Sequence, residues 1–403
     1  MEKRRNSERG QALVLVVLCL TVVLGFLGFA VDVGQLFRAR QVMQTAADAA
    51  AIAGAQQVLY SDWNTAAQAA AVQNGITNGV NDATITVNHP PLSGAHTIGN
   101  DPSGASNYVE VIVSQPQPPG FYQIVKPGAM TVSARSVATN GPSHNCMYTL
   151  GTTGTDLAIS GFLYAALSMP GCGIVVNSNS NSAISLGGFA IDVFSAGSIG
   201  VVGKYQEGFG SSITPTPVVG INPVGDPLAY LADPAIPGGC LADPKINSDT
   251  TLSPTNCWNG LTLRGGSVTF NPGLYIIHGD LNIPSTIAAV TGTGVTFFVT
   301  GAINFSGAQY LNLSAPTSGT YNGILFMAPL TDTKAMTFTG ISYSRLDGIF
   351  HLPGSDMSFD GGTITTFNNS IIVKSFSFNG TGAIYDYAMV NPATPLTGTR
   401  VVE

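Results

Sequence analysis

The sequence predicts an N-terminal transmembrane helix that continues into a small α+β domain, followed by an all-β domain best built as a right-handed parallel β-helix. Three observations carry this. An uncharged apolar run of membrane length stands at residues 12–31. An alanine-rich helical stripe and a few alternating strand patterns follow it. From residue 142 the composition turns to Gly, Asn, Ser and Thr, with short apolar bursts between them.

The chain has 403 residues, more than one compact domain holds, and only 9% of them are charged. The net charge of −7 is uneven: residues 1–141 carry eight Lys/Arg and eight Asp/Glu, residues 142–403 seven and fourteen. An acidic second part argues against nucleic acid or anionic lipid as its ligand.

The apolar run, "ALVLVVLCLTVVLGFLGFAV", is twenty residues long. At 1.5 Å per residue it spans about 30 Å, the thickness of the hydrocarbon layer. Lys3, Arg4, Arg5 and Arg9 precede it, which places residues 1–11 in the cytoplasm as a basic tail and exports the rest. The transmembrane helix is set at 12–33. A cleaved secretory signal competes, but the core is longer than a signal's and no small-x-small site ends it.

No proline occurs before Pro90, and small or apolar residues recur at spacings of three and four from Leu36 to Ala53. A continuous rod over residues 11–60 is therefore expected. Gly25, Gly28, Ala46, Ala50, Ala53 and Gly54 would let another backbone approach closely, shaping this face for a neighbouring helix or a thin sheet. Asp32 is read as a boundary carboxylate, and Asp48 as a solvated residue or an interhelical acceptor. Residues 34–141 form the α+β domain, with strands expected at 83–87, 108–114 and 131–137, where branched apolar and polar residues alternate between prolines.

The stretch from Arg9 to Ala55 resembles the N-terminal domain of TadG-like proteins of the Tad (tight adherence, Flp pilus assembly) system. The residues that carry the resemblance are Gly10 after Arg9, Asp32 and Gly34 at the outer end of the span, Ala47-Asp48-Ala49-Ala50, and Ala53-Gly54-Ala55. It implies a bitopic protein of the bacterial inner membrane, with other Tad/Flp pilus or envelope proteins, and further copies of itself, as partners; no catalytic residues or cofactors come with it. The α+β part is similar in outline to a pilin or pseudopilin head. Leu15 stands where a peptidase-processed pilin resembles Gly followed five residues later by Glu, which favours an uncut anchor.

In residues 142–403 the bursts are three to five residues long, too short for hairpins with cores of their own, but suited to stacked rungs that bury side chains against one another. A β-sandwich or jelly roll is the alternative. Asn271, Asn282, Asn304 and Asn312 are assigned to turns. The proline-rich stretch 214–258 is read as an excursion from the coil, since its prolines exclude regular central strands.

Cys146, Cys172, Cys240 and Cys257 allow three pairings, and sequence neighbours suggest 146 with 172 and 240 with 257. Buried free thiols are the competing reading. Their spacing is unlike zinc hooks.

Asp347, His351, Asp356 and Asp360 cluster in "RLDGIFHLPGSDMSFDGG", the best place for two carboxylates to face one sugar bond. Turn-capping aspartates explain them as well. "GTTGTD" lacks the lysine of a phosphate loop. The expected function is thus non-enzymatic: a membrane-anchored structural or assembly component of a Tad/Flp-type pilus or adhesion apparatus. An exported minor pilin or adhesin and a polysaccharide-active β-helix are the alternatives, and no residue pattern supports a glycan ligand.

Overall fold

The computed structural model describes residues 5–58, 62–102, 105–118, 120–124, 127–142, 145–160, 164–187, 191–254, 257–307, 310–340, 344–360, 368–380, 382–385 and 397–403. Two compact units divide the chain: residues 1–141 with 398–403, and residues 142–397.

The first unit is built on one helix, α1 (Arg5–Gln56). Its first half is apolar all round and exposed from Leu13 to Val31, with Gly28 the exception. Its second half is amphipathic: Gln35, Arg38, Arg40, Gln41 and Thr45 are exposed, and the buried face is made of Met43 and small residues. A second helix, α2 (Trp63–Gln73), lies against it, burying Ala67 and Ala71. Three antiparallel strands follow: β1 (Thr84–Asn88), β2 (Tyr108–Gln117) and β3 (Met130–Pro142). Val109, Val111 and Val113 of β2 are fully buried against the alanines of α1 and α2.

A fourth strand, Thr397–Val401, lies beside β3 in the same sheet. Val137 donates its N–H to the carbonyl of Glu403, 2.7 Å, and accepts from Val402, 2.8 Å. The composition placed everything after residue 141 in the β-rich domain, and the structure corrects this for residues 398–403. The 142–397 unit is consequently an insertion between two neighbouring strands of the first unit's sheet.

Among the described residues, every strand pairing in the second unit is parallel, and most strands pair with those one turn earlier and later, three strands per turn. Three ladders result. The inward positions are apolar and stack along the axis: Phe305 on Phe338 and Phe338 on Phe359 have ring centroids 4.8 and 4.5 Å apart with planes 5° from parallel. Those distances match the separation of neighbouring strands, about 4.8 Å, so each rung adds one layer to a continuous core. Asn282, Asn304 and Asn312 sit within strands rather than at turns, and Asn304 Nδ2 donates to Asn282 Oδ1 at 2.9 Å. Asn271 alone of the four lies between strands.

The order of the rungs does not follow the chain. Residues 371–373 and 376–379 pair with 147–149 and 157–160, so the last rungs lie directly on the first. From that junction residues 145–219 build in one direction, ending at Ser212–Thr214 and Val218–Val219. The chain then runs to the opposite end, where Leu241–Ala242 and Thr250–Leu252 begin the rungs that coil back to the junction. Spatially this is one unbroken coil whose sequence is circularly permuted. One ladder is eleven strand segments deep among the described residues. At the sheet spacing that is about 48 Å. Residues 220–240, fully extended, reach about 70 Å, so a single pass covers the distance.

This pass is the proline-rich excursion, and it is a strap laid on the coil. It covers an outward-facing apolar row containing Tyr148, Val175, Ile276, Phe298, Ile349 and Ile372, onto which Leu228 is fully buried. Contacts descend in order. Ile221 fills the space that a side chain at Gly200 would take. Asn177 brackets the backbone of Val224, and His351 Nε2 meets Asp226 Oδ2 at 2.9 Å. Tyr321 donates to the carbonyl of Ala232, and the Cys240–Cys257 disulfide closes the end.

Candidate functional site

The alanine run of α1 is small because three layers meet there. Ala46, Ala47, Ala50, Ala51 and Ala55 have no exposed surface, and Gly54 is buried with them. A methyl group on Gly54 would lie 3.0 Å from Val109 Cγ1, 3.2 Å from the Trp63 carbonyl and 3.3 Å from Ala67 Cβ, so any side chain here would push against its neighbours. The close partners are β2 and α2 of the same chain. Ala53 is half-buried. Asp48 accepts from Gln44 Nε2 at 2.8 Å, one turn back on its own helix, and the same amide donates to the Arg135 carbonyl at 3.2 Å. Asp48 thus serves its own helix.

At the outer end of the apolar run, a short turn, Phe121–Ile124, folds back onto α1. A methyl group on Gly28 would lie 2.8 Å from the Phe121 ring. Asp32 is buried and accepts the backbone N–H of Tyr122, and Gly120 packs against its carboxylate. The boundary carboxylate is satisfied by the chain itself. Gly25 and Gly34 have nothing within 4 Å. Gly10 lies in α1, and its surroundings fall outside the described residues. The sequence reading missed the turn; its signal was an aromatic pair, Phe121-Tyr122, closely flanked by prolines and glycines.

A second feature missed in the sequence is Glu110, a lone carboxylate in "YVEVIV". It is fully buried and surrounded by donors: Arg135 Nε at 2.6 Å, Asn88 Nδ2 at 2.8 Å, the Ser93 hydroxyl and the Leu92 N–H at 3.1 Å. Burial alone would raise its pKa, but the hydrogen bonds from Ser93, Arg135, Asn88 and Leu92 outweigh that and hold it at about 2. Arg135 also donates to Glu403 at 2.7 Å and to the Ser93 carbonyl at 2.6 Å. This cluster ties the 88–96 loop and the 397–401 strand to the sheet.

In the second unit, Cys146 pairs with Cys172 and Cys240 with Cys257. The quartet singled out for carbohydrate chemistry is dispersed among separate partners. Asp347 accepts from Arg345 at 2.7 Å, and His351 holds the strap at Asp226. Asp356 accepts from Ser375 at 2.7 Å and lies 3.3 Å from Lys374 Nζ; Asp360 accepts from Asn379 at 3.3 Å. None of these contacts joins two of the four. Nearby, Asp156 is buried, and burial pushes its pKa up to about 7, with Lys374 opposing and Asp356 adding to the rise. No group of three or more metal-binding side chains occurs among the described residues.

An apolar helix long enough to cross a membrane, whose far half is the packing partner of a small α+β unit, defines a candidate membrane-anchored domain. Residues 10–57 match the family model described as "Putative Flp pilus-assembly TadE/G-like", so the chain carries a TadE/G-like domain on this helix. No curated protein matches the chain. Among solved structures, the crystal structure of the competence-associated pilin ComZ from Thermus thermophilus is 10% identical, covers 83% of this chain and 89% of its own, and superposes with a TM-score of 0.17. A superposition that loose carries no argument.

Proposed function

We propose that this chain is a non-enzymatic, single-pass component of a Tad/Flp-type pilus or envelope adhesion apparatus. Residues 1–11 lie in the cytoplasm, residues 12–33 cross the inner membrane, and both folded units stand on the far side. The parallel coil is a right-handed β-helix, in keeping with the right-handed preference of parallel crossovers, and acts as a rigid extension.

The observation that supports this reading is the coincidence of the TadE/G-like match with a helix exposed along its first half and packed along its second. Its oxidising-compartment side is supported by two disulfides at the coil junction and the strap end. Partner proteins would meet surfaces that the fold leaves open, such as Phe37 and Val42 of α1, 67% and 43% exposed.

Alkaline phosphatase fused after Glu403 is expected to be active, and a cysteine at Phe37 or Val42 to crosslink to pilus-assembly proteins in cells. Phosphatase activity lost, with the chain intact in the cytosol, would overturn the reading.

A further inference from the structure

We propose that the Phe121–Ile124 turn is inserted into the lipid layer, so that the first unit is seated on the bilayer and not held away from it. This rests on reading α1 as a membrane anchor.

The depth of the turn follows from its contact. Gly28 belongs to the apolar run, four residues before Asp32, the first carboxylate after it. Four residues of helix are about 6 Å. Phe121 lies against Gly28, yet 61% of its surface is exposed, and Leu27 and Phe29, on either side of Gly28 in the sequence, are 58% and 60% exposed. One face of the ring therefore touches the helix and the remainder looks outward at the level of side chains that face lipid. Aromatic residues are favoured at this boundary, where an apolar body meets a hydrated edge.

Two further features make that depth tolerable. Asp32 is turned away from the exposed surface, since it is buried, accepts the Tyr122 N–H and packs against Gly120. Tyr122 keeps its polar end occupied, since its hydroxyl accepts the Met130 N–H at 3.1 Å. Above them on α1, Arg38 and Arg40 are exposed about 9 and 12 Å beyond Asp32, within reach of the phosphates. The partner surface is a glycerophospholipid bilayer.

The test uses the full chain in vesicles of phosphatidylcholine and phosphatidylglycerol with brominated acyl chains. F121W is compared with the wild-type baseline set by Trp63 and Trp258, and with L18W at the centre of the span. The added F121W emission is expected to be blue-shifted and to lose most of its intensity to the bromines. If L18W is quenched while F121W is red-shifted and quenched by aqueous iodide, the inserted turn is refuted and the anchor stands. If neither is quenched by lipid, the anchor reading fails and the turn with it. Lipids bearing a photoreactive diazirine provide a readout on the unsubstituted chain: labelling at residues 120–123 supports insertion, and labelling confined to α1 overturns it.

Discussion

Asn177 grips the backbone of Val224 with both ends of its amide: Nδ2 donates to the carbonyl at 2.6 Å and Oδ1 accepts the N–H at 2.9 Å. One side chain thereby replaces the two hydrogen bonds that a neighbouring strand would have offered the strap. Asn177→Ala is expected to destabilise the second unit by about 1–2 kcal/mol. Amides of residues 221–231 should exchange faster, while those of 371–379 stay protected. Leu228→Ala, which empties a fully buried site on the outer apolar row, should cost about 3 kcal/mol in thermal or denaturant unfolding.

Glu110 gives the first unit an acid limit. Its folded pKa of about 2 lies below the ordinary 4.5, so its contribution is complete above pH 4.5 and is lost as pH falls toward 2. The full effect is about 3 kcal/mol. Glu110→Gln should remove most of this at neutral pH and flatten the stability profile between those values. Thermal unfolding followed from pH 2 to pH 7 checks it.

Asp156 works in the opposite sense. Its pKa is raised from 3.8 to about 7, so the second unit is most stable with this carboxyl protonated and loses stability as pH climbs from about 4 through 7. The loss is of order 4 kcal/mol at its largest. Asp156→Asn, which cannot ionise, should be more stable than the parent chain at pH 8 and little different at pH 4. A parent chain equally stable at both would contradict the assignment.

Gly54→Leu tests the three-layer contact between α1, α2 and β2. The space beside Gly54 is bounded by Val109 and Ala67, and overpacking of this kind costs about 1–3 kcal/mol. Gly34→Leu, at a position where an added Cβ meets nothing within 4 Å, should not destabilise the unit and should gain up to about 1 kcal/mol from helix propensity. Chemical denaturation of the two variants in detergent separates a packing requirement from a general intolerance of leucine in this helix.

Much of this architecture was written in local patterns. A twenty-residue apolar run can only be read in a few ways, and the Ala46–Ala55 stripe announced a close approach by a helix or a thin sheet; the strand at 108–114 was legible as such, whereas α2 was not. α2 itself, "WNTAAQAAAVQ", shows no apolar face because its contacts are made by methyl groups. Three-residue bursts such as Leu281–Ile283 signalled stacked strands because nothing that short folds alone. What stayed hidden depended on distant partners. Thr397–Val401 pairs with β3, encoded far upstream, and its own few residues carry no sign of that. His351 looked like part of an acidic cluster because Asp226, its partner on the strap, lies 125 positions away. The rung order leaves no mark on any single rung, since a permuted coil and a sequential one need the same side chains at every layer.

The permuted order sets a timetable for the growing chain. Residues 145–219 are synthesised first, but the rungs beneath 147–149 and 157–160 are supplied by 371–379, nearly at the end. Until those residues arrive, the early arm carries a raw lower edge whose amides and carbonyls are unmatched, an open invitation to a wrong strand. The strap must also cross before the late arm can begin at its far end. The half of the coil made first therefore stays unmatched along that edge for as long as the other half takes to appear.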